Sequence, residues 1–323
     1  MARIFVTRRI PEEGINLLKN KFELVIRDKV APPTKEELIE GLKDAEGAIT
    51  LLTDNLDEEV LSSASKLKII ANYAAGFDNI NLSAATAKGI CVTNTPGVLS
   101  ETTADLAFAL LLSLARRIPE SDAYVKGRKW NTAWSPMLML GADIHGKTIG
   151  IVGMGRIGFE IAKRAKGFNM KILYTNQKAN PKADELGARL VPFEELLGKA
   201  DFISVHVPLT KQTKHMFNSE SLAKMKRTAF LINTSRGAVI DQRALAKALK
   251  GKTIAGAALD VFDEEPIAQD DELLELRNTV LVPHIGSASS ETRSKMSVLA
   301  AENIISFFGG KRPPQLVNEE AWK

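Results

Sequence analysis

Short apolar runs alternate with helical patterns along most of the chain. Before residue 94, segments with a helical repeat lie between five apolar runs that predict strands. The predicted strands cover residues 2–6, 23–26, 47–52, 67–72 and 90–93, and the predicted helices cover 12–19, 34–42, 57–63 and 81–88. Because strands that alternate with helices pair in parallel through helical crossovers, this part predicts a small flavodoxin-like unit.

The alternation then breaks. Thr95-Pro96-Gly97 predicts a turn, and residues 102–117 are apolar almost all round, which predicts a long buried helix. Residues 127–139 have no clear period and carry Trp130 and Trp134, so they predict an irregular excursion. This region separates two stretches that both have α/β patterning.

A second series begins at residue 148. Six predicted strands cover residues 148–152, 170–174, 201–207, 228–233, 254–259 and 279–282. A final amphipathic helix covers 289–308, and if it packs on the first unit, that unit is discontinuous. We therefore expect an α/β fold with two Rossmann-like, doubly wound parallel-sheet domains. One comprises residues 1–99 and 287–323, and the other residues 100–286.

A glycine-rich motif follows the first strand of the second series. Gly153, Gly155 and Gly158 have the G-x-G-x-x-G spacing between an apolar strand and an amphipathic helix. Such glycines allow a tight turn, the approach of a pyrophosphate and close helix–strand packing. Amides at the helix N-terminus then hold the phosphates, and Arg156 can add a contact. The alternative is a plain glycine-rich turn, but the order of strand, glycines and helix favours a dinucleotide-binding domain at 100–286.

The end of the next strand bears on which dinucleotide binds. An NAD site usually places an acidic residue about 20 residues past the glycines, but no acid lies between Met170 and Lys182. Thr175, Asn176 and Lys178 could instead donate hydrogen bonds to a 2′-phosphate. We therefore expect NADP(H) as the preferred cofactor, with NAD(H) possible because no arginine offers a bidentate contact to phosphate.

Three charged residues follow successive predicted strands, where folds of this class place their sites. They are Arg236, Glu265 and His284. Hydride transfer to a carbonyl needs a proton donor, commonly a histidine, and a carboxylate on the other ring nitrogen fixes its tautomer. An arginine can hold the carboxylate of a 2-oxo acid. Each residue alone could be a surface or capping group, but together they predict a catalytic group.

Composition and charge argue against several other classes. A formal charge of +4 over 323 residues, with scattered Lys and Arg, provides no nucleic-acid patch. The single cysteine, Cys91, which we expect to be buried, excludes an intrachain disulfide, and no motif predicts a metal site. The N-terminus is typical of a strand rather than a signal peptide, and the apolar run at 104–115 is too short to span a bilayer. We expect a cytoplasmic protein without nucleic-acid or membrane partners.

Seven segments in one order resemble the D-isomer-specific 2-hydroxyacid dehydrogenase family, over essentially the whole chain. Within that family the chain is most similar to the glyoxylate/hydroxypyruvate reductases. The matching segments are Ala75 to Ile80, Ser100 to Asp105, Gly153 to Gly158, His206 to Thr210, Asn233 to Gly237, Asp260 to Pro266 and Pro283 to Gly286.

The resemblance implies roles for individual residues. It implies that Arg236 binds and polarises the substrate, that His284 is the acid/base and that Glu265 is its partner. It also implies that amides at Ala75 and Gly76 hold the substrate carboxylate.

Further contacts follow from the same resemblance or are expected beside it. Leu52 would lie over the substrate, Thr103 and Asp260 near the nicotinamide, and Arg156 and Ile157 under the pyrophosphate. We also expect cofactor contacts from His206, Pro208, Thr213, Thr234 and Gly286.

The family is typically dimeric through the region around residues 100–140, which implies a homodimer here. Trp130 and Trp134 suit an interface because large aromatics are good anchors. One hypothesis is that Trp134 reaches the partner's active site, and the alternative is that it packs within its own chain.

We therefore predict reduction of a small 2-oxo acid, glyoxylate or hydroxypyruvate, to the 2-hydroxy acid. Alternatives in the same class are a 2-ketogluconate reductase or a phosphoglycerate dehydrogenase-like enzyme, including an NAD-dependent one. An alternative from another class is a dinucleotide-sensing binding protein like the corepressors that resemble this family. The lack of extended disordered tails favours an enzyme.

Overall fold

The computed structural model describes residues 1–322, which divide into two units. One consists of Met1–Leu99 with the segment that begins at Ser287, and the other is Ser100–Gly286. The strands are β1 Arg3–Val6, β2 Glu23–Ile26, β3 Gly47–Thr50, β4 Ile69–Asn72, β5 Cys91–Thr93, β6 Thr148–Val152, β7 Lys171–Thr175, β8 Arg189–Leu190, β9 Phe202–Val205, β10 Phe230–Asn233, β11 Gly256–Leu259 and β12 Thr279–Leu281.

Helices connect these strands, except that only a 3₁₀ turn lies between β11 and β12. They are α1 Glu12–Lys19, α2 Lys35–Leu42, α3 Glu58–Ser63, α4 Leu82–Ala87, α5 Ser100–Ala115, α6 Ile118–Lys126, α7 Arg156–Gly167, α8 Pro181–Asp184, α9 Phe193–Lys199, α10 Ser219–Ala223, α11 Gln242–Lys250 and α12 Ser290–Phe308. Short 3₁₀ turns cover Gly237–Val239, Glu272–Glu275 and Glu319–Ala321.

The first unit contains a five-stranded sheet in the order β2-β1-β3-β4-β5, with all neighbours parallel. This is the flavodoxin-like order that the sequence predicts. Strands β3, β4 and β5 are buried along their whole length. Their continuous apolar runs are those expected of a parallel sheet covered by helices on both faces.

The second unit contains a seven-stranded sheet in the order β12-β11-β10-β9-β6-β7-β8, again all parallel. Counted from β6, the first six strands have the Rossmann order 3-2-1-4-5-6. The two-domain α/β prediction is therefore confirmed. The sequence predicted six strands here; the strand it missed, β8, has only two residues, which is too short to show a pattern.

The C-terminal segment belongs to the first unit. Helix α12 packs against α1 and β4, and the Gly14 N–H donates to Ser297 Oγ at 2.8 Å. A Cβ at Gly14 would lie 2.2 Å from Ser297, so the two helices approach too closely for a side chain there. Asn318 then holds β5, accepting from Val92 N–H at 2.7 Å.

The long apolar helix begins and ends two residues earlier than predicted, and the sequence did not predict the helix that follows it. Helix α5 ends at Ala115, and Arg117 adopts a left-handed φ of 54° before α6 begins. Pro119 favours this break because proline suits the first turn of a new helix and not a helix interior. Residues 127–139 form no helix or strand, as predicted, and Cys91 is buried as expected.

Candidate active site

The glycine loop between β6 and α7 has the shape that a bound pyrophosphate requires. Gly153 has a φ of +98°, and a Cβ there would lie 2.7 Å from the carbonyl oxygen of His206. A Cβ at Gly158 would lie 2.1 Å from the Gly153 carbonyl oxygen, so helix and strand leave no room for a side chain. At Gly155, however, a Cβ would meet no described atom within 4 Å. Two glycines serve the packing of the loop, and the third borders open space.

The first turn of α7 is available to an anion. Its N-cap is Gly155, which has no side chain to cap the helix, and Arg156 and Ile157 are its first residues. The N–H groups of a first helical turn have no partner within the helix, and the helix dipole favours a negative charge there. These residues therefore fit the diphosphate of a dinucleotide.

The end of β7 carries the residues expected near the adenosine ribose. Thr175 is the last residue of β7, and its carbonyl oxygen accepts from Gly153 N–H at 3.0 Å. Asn176 is exposed, and its Nδ2 donates to the Lys178 carbonyl at 2.9 Å. No carboxylate occurs in residues 175–178, so this loop offers hydrogen-bond donors and one positive charge.

His206 follows β9, on the strand neighbouring β6. Its Nε2 lies 2.8 Å from Ser204 Oγ. Although part of the residue is accessible to solvent, its Nδ1 is buried and has no hydrogen-bond partner among the described residues. Burial lowers the pKa of His206 to about 3, so the ring is neutral and one of its nitrogens can still bond to a ligand.

Two further predicted cofactor residues lie in the segments that follow the neighbouring strands β9 and β10. Thr234 directly follows β10, and its hydroxyl is buried without a partner in the described part of the chain. Thr213 closes a turn after β9 by donating from Oγ1 to the Pro208 carbonyl at 2.6 Å. Thr234 therefore has a free hydrogen-bonding group, whereas the Thr213 hydroxyl bonds within its own loop.

His284 and Glu265 form a hydrogen-bonded pair beyond the ends of β12 and β11. His284 Nδ1 lies 2.6 Å from Glu265 Oε2, and each side chain is about one-quarter exposed (27% and 26%). The other carboxylate oxygen of Glu265 accepts from the Phe262 N–H at 3.1 Å. A carboxylate at Nδ1 fixes the ring orientation and leaves Nε2 to carry the proton that is exchanged with a substrate.

Asp260 holds the segment around His284. Its carboxylate accepts from Ile285 N–H at 2.6 Å and from Gly286 N–H at 2.8 Å. The His284 N–H donates to the Asp260 carbonyl at 2.9 Å, while His284 adopts a φ of 52°. Burial raises the pKa of Asp260 to about 6, opposed by the Ile285 N–H and the charge of His284. Asp260 thus sets the backbone geometry that directs the imidazole.

Thr103 lies beside the same segment. It is 5% exposed, in the first turn of α5, and its Cγ2 would lie 3.4 Å from a Cβ at Gly286. The structure therefore places Thr103, Asp260 and Gly286 together, as expected of residues that line one cofactor region.

Arg236 lies in the loop after β10. Asn233 anchors this loop by donating from Nδ2 to the Arg236 carbonyl at 2.9 Å. A Cβ at Gly237 would lie 1.9 Å from the carbonyl of Phe262, so this loop packs directly against the segment that leads to Glu265. The structure thus brings the loops of Arg236, Glu265 and His284 to one edge of the seven-stranded sheet.

The predicted substrate residues of the first unit lie at the carboxyl edge of its own sheet. Leu52 follows β3, and Ala75 and Gly76 follow β4. Ala75 and Gly76 are half-buried, and no hydrogen bond joins their N–H groups to another described residue. These amides are therefore free to receive an anion.

The sequence reasoning missed a set of asparagines at this edge. Asn72 ends β4, Asn94 follows β5, and Asn79 lies in the loop after β4. All three side chains bond to the loops that carry Leu52, Ala75 and Gly76. The signal was present, because an asparagine at the end of a buried strand is an unusual polar residue beside a core.

Neither a metal-binding cluster nor a membrane-spanning helix is found among the described residues. Within residues 1–322, no group of three or more His, Cys, Asp or Glu side chains is placed to hold a metal ion. Across the same residues, none of the helices has the length and apolar character needed to cross a membrane.

A family model and two similar relatives all indicate one enzyme family. Residues 108–286 match the family model described as the D-isomer specific 2-hydroxyacid dehydrogenase, NAD binding domain. The chain is 56% identical over 322 residues to a glyoxylate reductase of Korarchaeum cryptofilum, covering 99% of this chain and 97% of the relative. It is 53% identical to a glyoxylate reductase of Thermococcus litoralis, covering 98% and 97%.

Solved structures agree with these relatives. A protein from Thermus thermophilus is 44% identical, with a TM-score of 0.92 over 98% of this chain and 100% of that one. An NADPH-dependent glyoxylate/hydroxypyruvate reductase from Sinorhizobium meliloti, solved with NADP and malonate, is 32% identical. Its TM-score is 0.88 over 100% of this chain and 98% of that one.

Proposed function

Because the chain belongs to the D-isomer specific 2-hydroxyacid dehydrogenase family, we propose that it reduces glyoxylate and hydroxypyruvate with NADPH. The products are glycolate and D-glycerate. The names of the relatives in Korarchaeum and Thermococcus support the substrate, and the NADPH-dependent Sinorhizobium enzyme supports both substrate and cofactor.

The observation that carries this proposal is the 2.6 Å hydrogen bond between His284 Nδ1 and Glu265 Oε2. A bound nicotinamide supplies the hydride that adds to C2 of the substrate. The oxygen then gains negative charge, and His284 Nε2 donates the proton that neutralises it. Glu265 balances the positive charge of the imidazolium before that transfer and keeps Nε2 directed at the oxygen.

Arg236 binds the substrate in this proposal. A guanidinium can hold a carboxylate with two parallel hydrogen bonds, and its charge polarises the adjacent carbonyl. The amides at Ala75 and Gly76 bind the substrate carboxylate as well, and Leu52 packs on the carbon skeleton. In this proposal, donors are assigned to the carboxylate and to the 2-oxo group of the substrate.

The preference for NADPH rests on the loop after β7. The side chains of Thr175, Asn176 and Lys178 provide donors and a positive charge, and no carboxylate in the loop would repel a 2′-phosphate. The loop has no arginine, so NADH is expected to serve as a slower second cofactor.

We also propose that the protein is a homodimer. Large apolar side chains are exposed in one part of the sequence, from residue 118 to residue 140, where Trp134 is 77% exposed and Met137 74% exposed. Such a concentration of exposed apolar side chains is typical of an interface.

The first test measures initial rates of NADPH and NADH oxidation with glyoxylate, hydroxypyruvate, pyruvate and 2-ketogluconate. We expect the highest kcat/KM with glyoxylate or hydroxypyruvate and NADPH. His284→Gln should lower kcat by a factor of about 10² to 10⁴, the usual contribution of a general acid. His145→Gln, at an exposed loop position, is the matched control.

Each other outcome has a definite meaning. Faster oxidation of NADH would contradict the interpretation of the loop after β7 and leave the chemistry unchanged. A preference for 2-ketogluconate would contradict the proposed substrates. No turnover with any of the four acids would contradict the proposed reaction.

A further inference from the structure

The loop after β4 has an unusual hydrogen-bonding pattern. Three successive carbonyl groups, those of Ala74, Ala75 and Gly76, each accept a hydrogen bond from the body of the first unit. The donors are Thr95 N–H at 2.8 Å, Asn94 Nδ2 at 2.6 Å and Asn72 Nδ2 at 3.0 Å, respectively. The loop is therefore held through its main-chain carbonyl oxygens.

This arrangement fixes the direction of the N–H groups. In a trans peptide the N–H points away from the carbonyl of the same peptide plane. A donor that holds the carbonyls of residues 74, 75 and 76 therefore turns the N–H groups of Ala75, Gly76 and Phe77 away from that donor. None of these three N–H groups has a hydrogen-bond partner among residues 1–322, and Phe77 is exposed. Successive free N–H groups are a recurrent anion-binding element.

Asn72, one of the two asparagines that hold this loop, has both hydrogens of its side-chain amide bonded and its oxygen accepting a hydrogen bond. Asn72 is fully buried at the end of β4; its two Nδ2 hydrogens bond to the Gly76 carbonyl and to Asn79 Oδ1, both at 3.0 Å. Its Oδ1 accepts from Thr50 Oγ1 at 3.0 Å. Asn94 is 8% exposed. A buried amide can hold a carbonyl in only one orientation when all its other bonds are also made.

Asn79 extends the network to the loop after β3. Its Nδ2 donates to the carbonyls of Leu51 and Asp54, at 3.1 and 2.9 Å. Asp54, which is fully buried, in turn accepts from Leu51 N–H at 2.7 Å. One amide therefore connects the loop that carries Leu52 with the loop that carries Ala75 and Gly76.

We propose that Asn94 and Asn72 are positioning residues for the substrate carboxylate: Asn94 holds the Ala75 carbonyl and so directs the Gly76 N–H at the carboxylate, and Asn72 holds the Gly76 carbonyl and so directs the Phe77 N–H the same way. Asn79 holds the Leu52 loop in register with them. This inference rests on the proposed function for the identity of the substrate, but the anion site itself can be measured without turnover.

The experiment compares Asn94→Asp with the wild-type enzyme. The substitution keeps the size of the side chain and removes the donor to the Ala75 carbonyl. The probe is oxalate, a small carboxylate without an aldehyde or ketone carbon that could accept a hydride. Its binding is measured by calorimetry with saturating NADPH. The KM for glyoxylate is measured in parallel. We expect the Kd for oxalate and the KM for glyoxylate to rise about tenfold, the usual effect of one lost hydrogen bond that leaves a buried acceptor unpaired. KM for NADPH should not change.

A pH series separates positioning from general loosening. At low pH the introduced carboxyl group is protonated and can again donate to the Ala75 carbonyl, so the ratio of variant to wild-type Kd should fall as the pH falls. Asn94→Ala, which has no such group, should show a constant ratio. It also provides the same measurement if Asn94→Asp does not fold.

Asn318→Asp is the matched control. Asn318 is a buried asparagine of the same unit, 2% exposed, whose Nδ2 donates to the Ile90 carbonyl and to Thr86 Oγ1, both at 2.9 Å. Its replacement should lower thermal stability and leave the Kd for oxalate unchanged.

Several results would overturn the inference. They are an unchanged Kd in a folded Asn94 variant, an equal rise in the Asn318 variant, and no oxalate binding by the wild-type enzyme. If the wild-type enzyme binds oxalate in the Asn94-dependent way but reduces no 2-oxo acid, the proposed function fails and the inference stands.

Discussion

At the residue scale, burial gives two side chains pKa values far from their ordinary ones. The pKa of His206 is lowered to about 3 and that of Asp260 is raised to about 6, in both cases mainly by burial. The Nδ1 of His206 has no hydrogen-bond partner among the described residues, so nothing there offsets the cost of charging the buried ring. The carboxylate of Asp260, in contrast, accepts from two N–H groups, which favour its charged form. The neutral imidazole and the acceptor carboxylate thus follow from local packing.

His206 makes the stability of the enzyme dependent on pH. Its pKa is lower in the folded state than its ordinary value of 6.5, so between these values the unfolded chain binds a proton that the folded chain does not. The stability that His206 contributes is therefore present above pH 6.5 and is lost progressively as the pH falls toward 3. Relative to His206→Gln, the wild-type free energy of unfolding should fall by at most about 1.4 kcal/mol per pH unit.

Urea unfolding of both proteins between pH 7.5 and pH 4.5 tests this expectation. His145→Gln, in an exposed loop, is the control and should follow the wild-type curve. A difference between wild type and His206→Gln that does not vary with pH would show that the buried ring does not resist protonation.

At the scale of elements, the ends of parallel strands collect the polar groups. In the second unit, the segments after β10, β11 and β12 carry Arg236, Glu265 and His284. In the first unit, β4 ends at Asn72 and β5 is followed directly by Asn94. The carboxyl ends of parallel strands meet at one edge of a sheet, so residues distant in sequence become neighbours without any long connection.

The loop between β6 and α7 supports a prediction that separates packing from binding. Gly155→Ala should leave the melting temperature within about 2 °C of the wild type, because a Cβ there meets no described atom within 4 Å. The same change should weaken NADPH binding by about tenfold or more, since it fills the space in which the pyrophosphate would contact the backbone. Binding is followed by calorimetry.

Gly158→Ala provides the contrast. Its Cβ would lie 2.1 Å from the Gly153 carbonyl oxygen, so it should lower the free energy of unfolding by about 1–3 kcal/mol, as overpacking does. Gly167→Ala, where a Cβ also meets nothing within 4 Å, should affect neither property. Equal NADPH affinity in the Gly155 and Gly167 variants would contradict the assignment of the loop.

At the scale of the whole molecule, exposed apolar surface argues for self-association. Trp130 and Trp134 are 53% and 77% exposed in a stretch without helix or strand. Large apolar side chains in such positions contribute most of the free energy at interfaces when a partner covers them.

Trp134→Ala should therefore weaken the dimer by about tenfold or more in dissociation constant, measured by light scattering coupled to size-exclusion chromatography over a dilution series. If Trp134 also reaches the partner's active site, KM for glyoxylate should rise at protein concentrations where the variant is still dimeric. Val30→Ala, at an isolated apolar position that is 94% exposed, is the control. An unchanged association state and an unchanged KM would contradict both the interface and its link to the site.

Most of the fold was predictable because burial has a local signature. Parallel strands buried on both faces appear as short apolar runs, and helices repeat every 3.6 residues, so both sheets could be assigned from pattern alone. The glycine spacing after β6 was equally local. Helix α6 and the two-residue β8 were missed because α6 buries none of its residues and a very short strand has no periodic signal.

The sequence by itself determined the α/β class, the dinucleotide loop and the set of charged residues at strand ends. Only the tertiary structure supplied the 2.6 Å contact between Glu265 and His284, the pair that the sequence had already named, and their catalytic roles stay a prediction. It also decided that Asn318 closes the first unit against Val92, 226 residues earlier, and that asparagines hold the Ala75 loop. The physical reason is that periodicity records burial within a segment. A side-chain hydrogen bond depends on where the fold places two distant segments, and no local pattern contains that information.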